Sequence, residues 1–158
     1  MKTLKRIIPL LVMLPIFFTQ LAKANDGDTK VVKIKATDQM RFSVTEIEAK
    51  PGQTIKVELT GVSDFPKMAM SHNFVLLKAD ADAMSLATAA AQHSDNDYIP
   101  PKMTDEIIAH TPLAGGGDTV TVTFKAPEKP GSYQYICTFP GHFASGMKGT
   151  LEVSNQPS

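Results

Sequence analysis

Tyr133-Gln134-Tyr135-Ile136-Cys137-Thr138-Phe139-Pro140-Gly141-His142-Phe143-Ala144-Ser145-Gly146-Met147-Lys148-Gly149-Thr150-Leu151-Glu152-Val153 is the stretch on which the reading of this chain turns. Its first four residues alternate as a half-buried strand does, and so do Thr150 to Val153 at its end. Pro140-Gly141 marks a turn between them. A tight loop between neighbouring strands can aim several side chains at one point, and this loop offers a thiol (Cys137), an imidazole (His142) and a thioether (Met147). A second imidazole, His72, lies far upstream, just before the apolar run Phe74-Val75-Leu76-Leu77. That run has the composition of a strand buried on both faces, whose end a sandwich can bring beside the loop.

The rest of the chain carries the same pattern. Val31 to Lys35, Thr54 to Leu59 and Thr119 to Phe124 alternate apolar with polar residues, and turn signals fall at Pro51-Gly52, Gly115-Gly116-Gly117 and Pro130-Gly131. One segment differs: residues 81–92 are rich in alanine, with Met84 and Leu86, and Asp80 or Asp82 can cap its start. The expectation is an all-β domain, a two-sheet Greek-key sandwich with one short helix inserted.

The chain has 158 residues. Lys2, Lys5 and Arg6 precede the apolar run from Ile7 to Phe18, and Ala22-Lys23-Ala24 suits cleavage, so residues 1–24 read as a signal peptide. The apolar run is short of the ~20 residues that a spanning helix needs. The expected domain is 25–158, exported and starting at Asn25. The leader holds four of the 16 basic residues (Lys2, Lys5, Arg6, Lys23) and none of the 16 acidic ones, leaving 12 against 16 and a net charge of −4. A mildly acidic domain without basic clusters is a poor match for nucleic acid or for anionic lipid. Cys137 is the only cysteine. In an oxidising compartment a lone thiol pairs with another chain, stays buried, reacts or binds metal.

Ligand chemistry narrows the metal. Thiolate and thioether sulfur are soft and favour copper(I), while imidazole suits both oxidation states; two His, one Cys and a weak axial Met describe a blue-copper electron-transfer centre. Zinc competes for a Cys-plus-two-His set, but its structural sites are closed by Cys or His rather than thioether. Two other readings of these residues compete. Cys137 could be an inert core thiol and Met147 core filling. Cys137 could instead be a nucleophile with His142 or His72 as base and Asn73 as orienter, which leaves Met147 without a task. His93 and His110 lack ligand-like company and are expected to be exposed.

The loop, with Met70-Ser71-His72-Asn73, resembles the azurin and auracyanin branch of the small cupredoxins. Asp38-Gln39-Met40-Arg41-Phe42, Asp97-Tyr98-Ile99 and Ile108-Ala109-His110-Thr111 extend the resemblance over nearly the whole mature chain. It implies a cupredoxin-like sandwich holding one copper ion, with His72, Cys137 and His142 as equatorial ligands and Met147 as the axial one. Ser71 and Asn73 would support the ligand segments, Asn73 by tying them together. It further implies an electron carrier rather than an enzyme. An apolar rim of Met40, Phe65, Met70, Phe139, Pro140 and Phe143 around His142 would dock redox proteins transiently, such as a c-type cytochrome or a copper or haem oxidoreductase. The protein would act as a periplasmic monomer, without membrane insertion. A copper carrier or buffer that delivers its metal to another protein is the alternative.

Four departures accompany the resemblance. Four residues separate His142 from Met147, where azurins have three. Ser71 replaces the glycine whose carbonyl makes a weak fifth contact in azurins. A lone cysteine excludes the azurin disulfide, and the buried azurin histidine after the third strand is replaced near Gly61.

Overall fold

The computed structural model describes residues 29–156, so the leader expected over residues 1–24 lies outside the described residues. Among these, the strands are β1 (Lys30–Thr37), β2 (Arg41–Phe42), β3 (Glu46–Ala49), β4 (Thr54–Val62), β5 (Val75–Leu77), β6 (Ile107–His110), β7 (Thr119–Lys125), β8 (Gly131–Ile136) and β9 (Lys148–Val153). The helix α1 (Ala83–Ala90) and two 3-10 turns, Ser94–Asn96 and Pro101–Glu106, lie between β5 and β6. The helix is shorter than the expected 81–92, and of its two candidate caps Asp82 is used, accepting from the backbone N–H groups of Met84 and Ser85.

One sheet runs β2-β1-β4-β7 and the other β3-β9-β8-β5-β6. β1 pairs parallel with β4 and β3 parallel with β9; the other neighbours are antiparallel. The alternation seen in sequence sets the inner faces. Ile34, Ile55, Val57 and Leu59 from one sheet meet Leu76, Tyr135 and Leu151 from the other, while Lys33, Lys35, Lys56 and Glu58 point outward. β5 is apolar on both faces for a reason visible in the packing. Leu76 enters the inter-sheet core, whereas Val75 and Leu77 turn outward under α1, against Leu86, Ile99 and Ile136. Burying Leu86 alone contributes about 2 kcal/mol.

Tyr135 ties the strand exchange to the core. Its hydroxyl donates to the Val44 carbonyl at 2.7 Å, where the chain passes from β2 in one sheet to β3 in the other. Its ring lies over Gly149 so closely that a Cβ there would stand 2.3 Å from the phenol oxygen. Gly61 is equally constrained: a Cβ on it would stand 2.1 Å from the Gly115 carbonyl oxygen, which excludes any side chain where azurins bury a histidine.

Candidate metal centre

Three segments converge at one end of the sandwich. His72 precedes β5 and exchanges backbone hydrogen bonds with Ala114, at 2.9 Å from its own N–H and 2.8 Å to its carbonyl. Cys137 directly follows β8, and its N–H donates to the Met147 carbonyl at 3.2 Å, closing the loop at its base. Within the loop, Pro140-Gly141 makes a type II turn: the His142 N–H donates to the Phe139 carbonyl at 3.1 Å, and Gly141 takes φ +83°.

The extra residue before Met147 is absorbed by a helix-ending motif. The Gly146 N–H donates to the Phe143 carbonyl at 2.8 Å, the Met147 N–H to the His142 carbonyl at 3.0 Å, and Gly146 has φ +92°. This 5→2 and 6→1 pairing with a left-handed glycine is a Schellman motif. It ties the backbones of His142 and Met147 together directly.

Asn73 joins the upstream segment to the loop. Its amide NH2 donates to the Thr138 hydroxyl at 2.8 Å and to the Asp97 carbonyl at 2.9 Å, and its amide oxygen accepts from the Thr138 N–H at 2.9 Å. Ser71 is buried, and its hydroxyl donates to the Lys67 carbonyl, closing the turn ahead of His72.

The result is a buried donor cluster. His72, Cys137 and His142 are at most 2 % exposed, and a ligating atom from each lies within 4.8 Å of the others. The imidazole rings of His72 and His142 are 4.9 Å apart between centroids, and the Cys137 sulfur is 3.4 Å from Nδ1 of His142. Both ring nitrogens of His72 are buried without a hydrogen-bond partner among the described residues. Such an orphaned polar atom costs about 1–3 kcal/mol. Met147 is fully buried.

Electrostatics prepare the cluster for a cation. Burial pulls His72 down to about 4, against a weaker upward pull from Asp38, and pulls His142 to about 4 with help from His72. Both rings are therefore neutral at pH 7, and a neutral imidazole offers a nitrogen lone pair to a metal. Burial pushes the Cys137 thiol up to about 12, although backbone N–H groups of Asn73 and Phe139 donate to its sulfur and act in the opposite sense. A metal cation supplies the positive charge that makes thiolate the stable form. Two neutral imidazoles and one thiol, with orphaned nitrogens, fit a copper ion, because this soft and borderline donor set is one that copper prefers.

Relatives bear on this geometry. The profile of the copper binding proteins, plastocyanin/azurin family, matches residues 29–154. This chain belongs to that family. Azurin of Pseudomonas chlororaphis is 40% identical over 124 residues, covering 76% of this chain and 94% of azurin. Auracyanin-B of Chloroflexus aurantiacus is 33% identical over 132 residues, covering 82% of this chain but only 54% of that protein. Among solved structures, auracyanin A of Chloroflexus aurantiacus superposes with a TM-score of 0.71 at 35% identity, over 80% of this chain and 99% of that one. The dithionite-reduced auracyanin of Roseiflexus castenholzii gives 0.68 at 32% identity, covering 81% and 99%. The two-sheet cupredoxin-like fold and the copper-binding character of the family agree with the expectation from sequence.

Of the residues expected to form the rim, Phe65 is 57% exposed and Pro140 is exposed, while Met40, Met70, Phe139 and Phe143 are half-buried. The Phe139 ring lies 4.8 Å from that of His142 and meets Tyr98 edge-on at 5.1 Å. Phe143 packs towards α1 with Ile136 and Leu86. His110 is exposed as expected. His93 is not: it is half-buried, and its carbonyl accepts from the N–H groups of Asn96 and Tyr98 to hold the first 3-10 turn. Two contributors escaped the sequence reading. Thr138 is recognisable only once Asn73 is seen across from it, and Thr111, whose hydroxyl accepts from the Phe74 N–H at 3.0 Å, carries no signal in its own segment.

Proposed function

We propose that this protein is an exported one-electron carrier whose copper is held by His72, Cys137 and His142, with Met147 as axial ligand. The observation that carries the reading is the buried His72–Cys137–His142 cluster with both His72 nitrogens orphaned. Bound copper supplies reversible one-electron exchange between Cu(II) and Cu(I). The chain supplies rigidity. Asn73, the Ala114 bridge and the Schellman loop hold the ligand segments in one arrangement, so little has to move as charge changes. Backbone N–H groups of Asn73 and Phe139 take up part of the sulfur's negative charge. A fully buried donor set favours electron exchange over turnover of a substrate, which supports a carrier rather than an enzyme.

The ring contact between Phe139 and His142 supports docking of partners over Met40, Phe65, Met70, Phe139, Pro140 and Phe143. A small apolar surface suits c-type cytochromes or copper and haem oxidoreductases that must leave quickly. The leader over residues 1–24 supports a periplasmic location, and the mature chain would act as a monomer. Delivery of copper to another protein is the competing role. Burial of every cluster ligand argues against it, because exchange then requires opening the loop. Cu(II) added to the purified mature protein should produce one intense visible band that disappears on reduction and in Cys137→Ser. A colourless protein, or copper passed to an acceptor faster than electrons, would overturn the reading.

A further inference from the structure

The Ser145 carbonyl, at the end of the Schellman loop, is satisfied from outside the loop. His142 and Phe143 carbonyls are taken by the motif itself, and the Gly141 carbonyl accepts from both the N–H and the hydroxyl of Ser145, at 3.0 and 2.9 Å. The Ser145 carbonyl, immediately before the left-handed Gly146, receives Nη1 of Arg41 at 2.6 Å, from a residue 104 positions away. The same Nη1 donates to the Met40 carbonyl at 2.8 Å, which fixes the guanidinium at its own end. Its base is also fixed: Met40 turns with φ 54° after donating its N–H to the Thr37 carbonyl at 2.8 Å, and Phe42 is buried against Tyr135 with ring centroids 5.5 Å apart. The guanidinium lies over Gly146, whose Cβ, if it had one, would stand 3.7 Å from Nη1.

We propose that Arg41 is the positioning residue for Met147: it clamps the loop from outside at the carbonyl two residues before the axial ligand. The clamp stands where this chain carries one residue more than azurins between His142 and Met147, so the added backbone has an anchor of its own. The inference rests on the reading of Met147 as axial ligand. The bond is charge-assisted but exposed, so its loss should be read as about a fivefold effect rather than the larger one a buried bond gives.

Two measurements on Arg41→Ala and Arg41→Lys test it. In the copper-free protein, amide exchange at Gly146 and Met147 should quicken about fivefold in Arg41→Ala and be partly restored in Arg41→Lys, which keeps a donor. In the copper-loaded protein, release of copper to a chelator should quicken by a similar factor, in 0.5 M salt as well as in dilute buffer. Persistence in salt separates a hydrogen bond from a bare surface charge, which salt screens. Either quantity remaining at its wild-type value in Arg41→Ala overturns the proposal. Met147→Leu, run alongside, reports on the axial assignment separately: an unchanged reduction potential there sinks that assignment, while the amide-exchange result still judges the clamp.

Discussion

Asn73→Ala removes a side chain of no direct contact with solvent and tests whether the upstream ligand segment is held by its link to the loop. Three hydrogen bonds vanish, two to Thr138 and one to the Asp97 carbonyl. At roughly 1 kcal/mol per bond they account for ~3 kcal/mol, and the buried Thr138 N–H left without a partner adds at least ~1. A total of about 4 kcal/mol corresponds to a fall in Tm of about 15 °C for a domain of this size. Thr138→Val loses only the hydroxyl contact and should cost ~2 kcal/mol, half of it from the buried Asn73 N–H left unpaired, because the Thr138 N–H keeps its own bond to Asn73. Thermal unfolding of the copper-free variants, followed by far-UV circular dichroism, measures both. Copper affinity of Asn73→Ala, by competition with a chelator, should fall about 10- to 100-fold. The reasoning fails if Asn73→Ala melts within about 3 °C of wild type and binds copper as tightly.

Other consequences can be checked in the same preparations. Copper-free protein should be most stable between about pH 6.5 and 9. Below 6.5 the unfolded histidines bind protons that His72 and His142, held at about 4, refuse; above 9 the unfolded thiol ionises while Cys137, held at about 12, does not. Urea titrations across pH 4–11 should show stability falling on both sides, and a flat profile over pH 4–9 would contradict the burial of neutral ligands. Met147→Leu should keep its copper and raise the reduction potential, read by redox titration, since the axial ligand tunes the potential and losing any donor leaves less electron density to stabilise the more highly charged Cu(II). Gly149→Ala should drive a Cβ into the Tyr135 ring, which its bond to Val44 prevents from yielding, and lower the Tm by about 10 °C or more.

The parts of the fold legible in sequence are those where burial is one-sided and long enough to repeat. β1, β4 and β7 show strict alternation because one face meets the core and the other meets water. β5 was readable as doubly buried, and the alanine-rich segment beside it supplies the cover. β2 has only two residues and β3 four, so neither alternates long enough to stand out from its turns. β6, Ile107–His110, pairs with β5 at the sheet edge and is half-buried along most of its length, which erases its period. The grouping of His72, Cys137 and His142 was legible by residue type, because two His and a lone Cys with a nearby Met are a recognisable set of metal donors. Its supports were less so. Asn73 was singled out beside His72, but Thr138, Arg41 and the Tyr135–Val44 bond depend on meetings of segments 65 to 104 positions apart. No local pattern records those meetings, which arise from sheet order and from the path of the loop.

X-ray absorption at the copper edge, on protein loaded with one equivalent of Cu(II), tests the centre most directly. The account predicts two imidazole nitrogens and one short sulfur around each copper, with that sulfur absent in Cys137→Ser and one nitrogen absent in His72→Ala. Copper surrounded only by nitrogen and oxygen, or a wild-type pattern that persists in both variants, would contradict it.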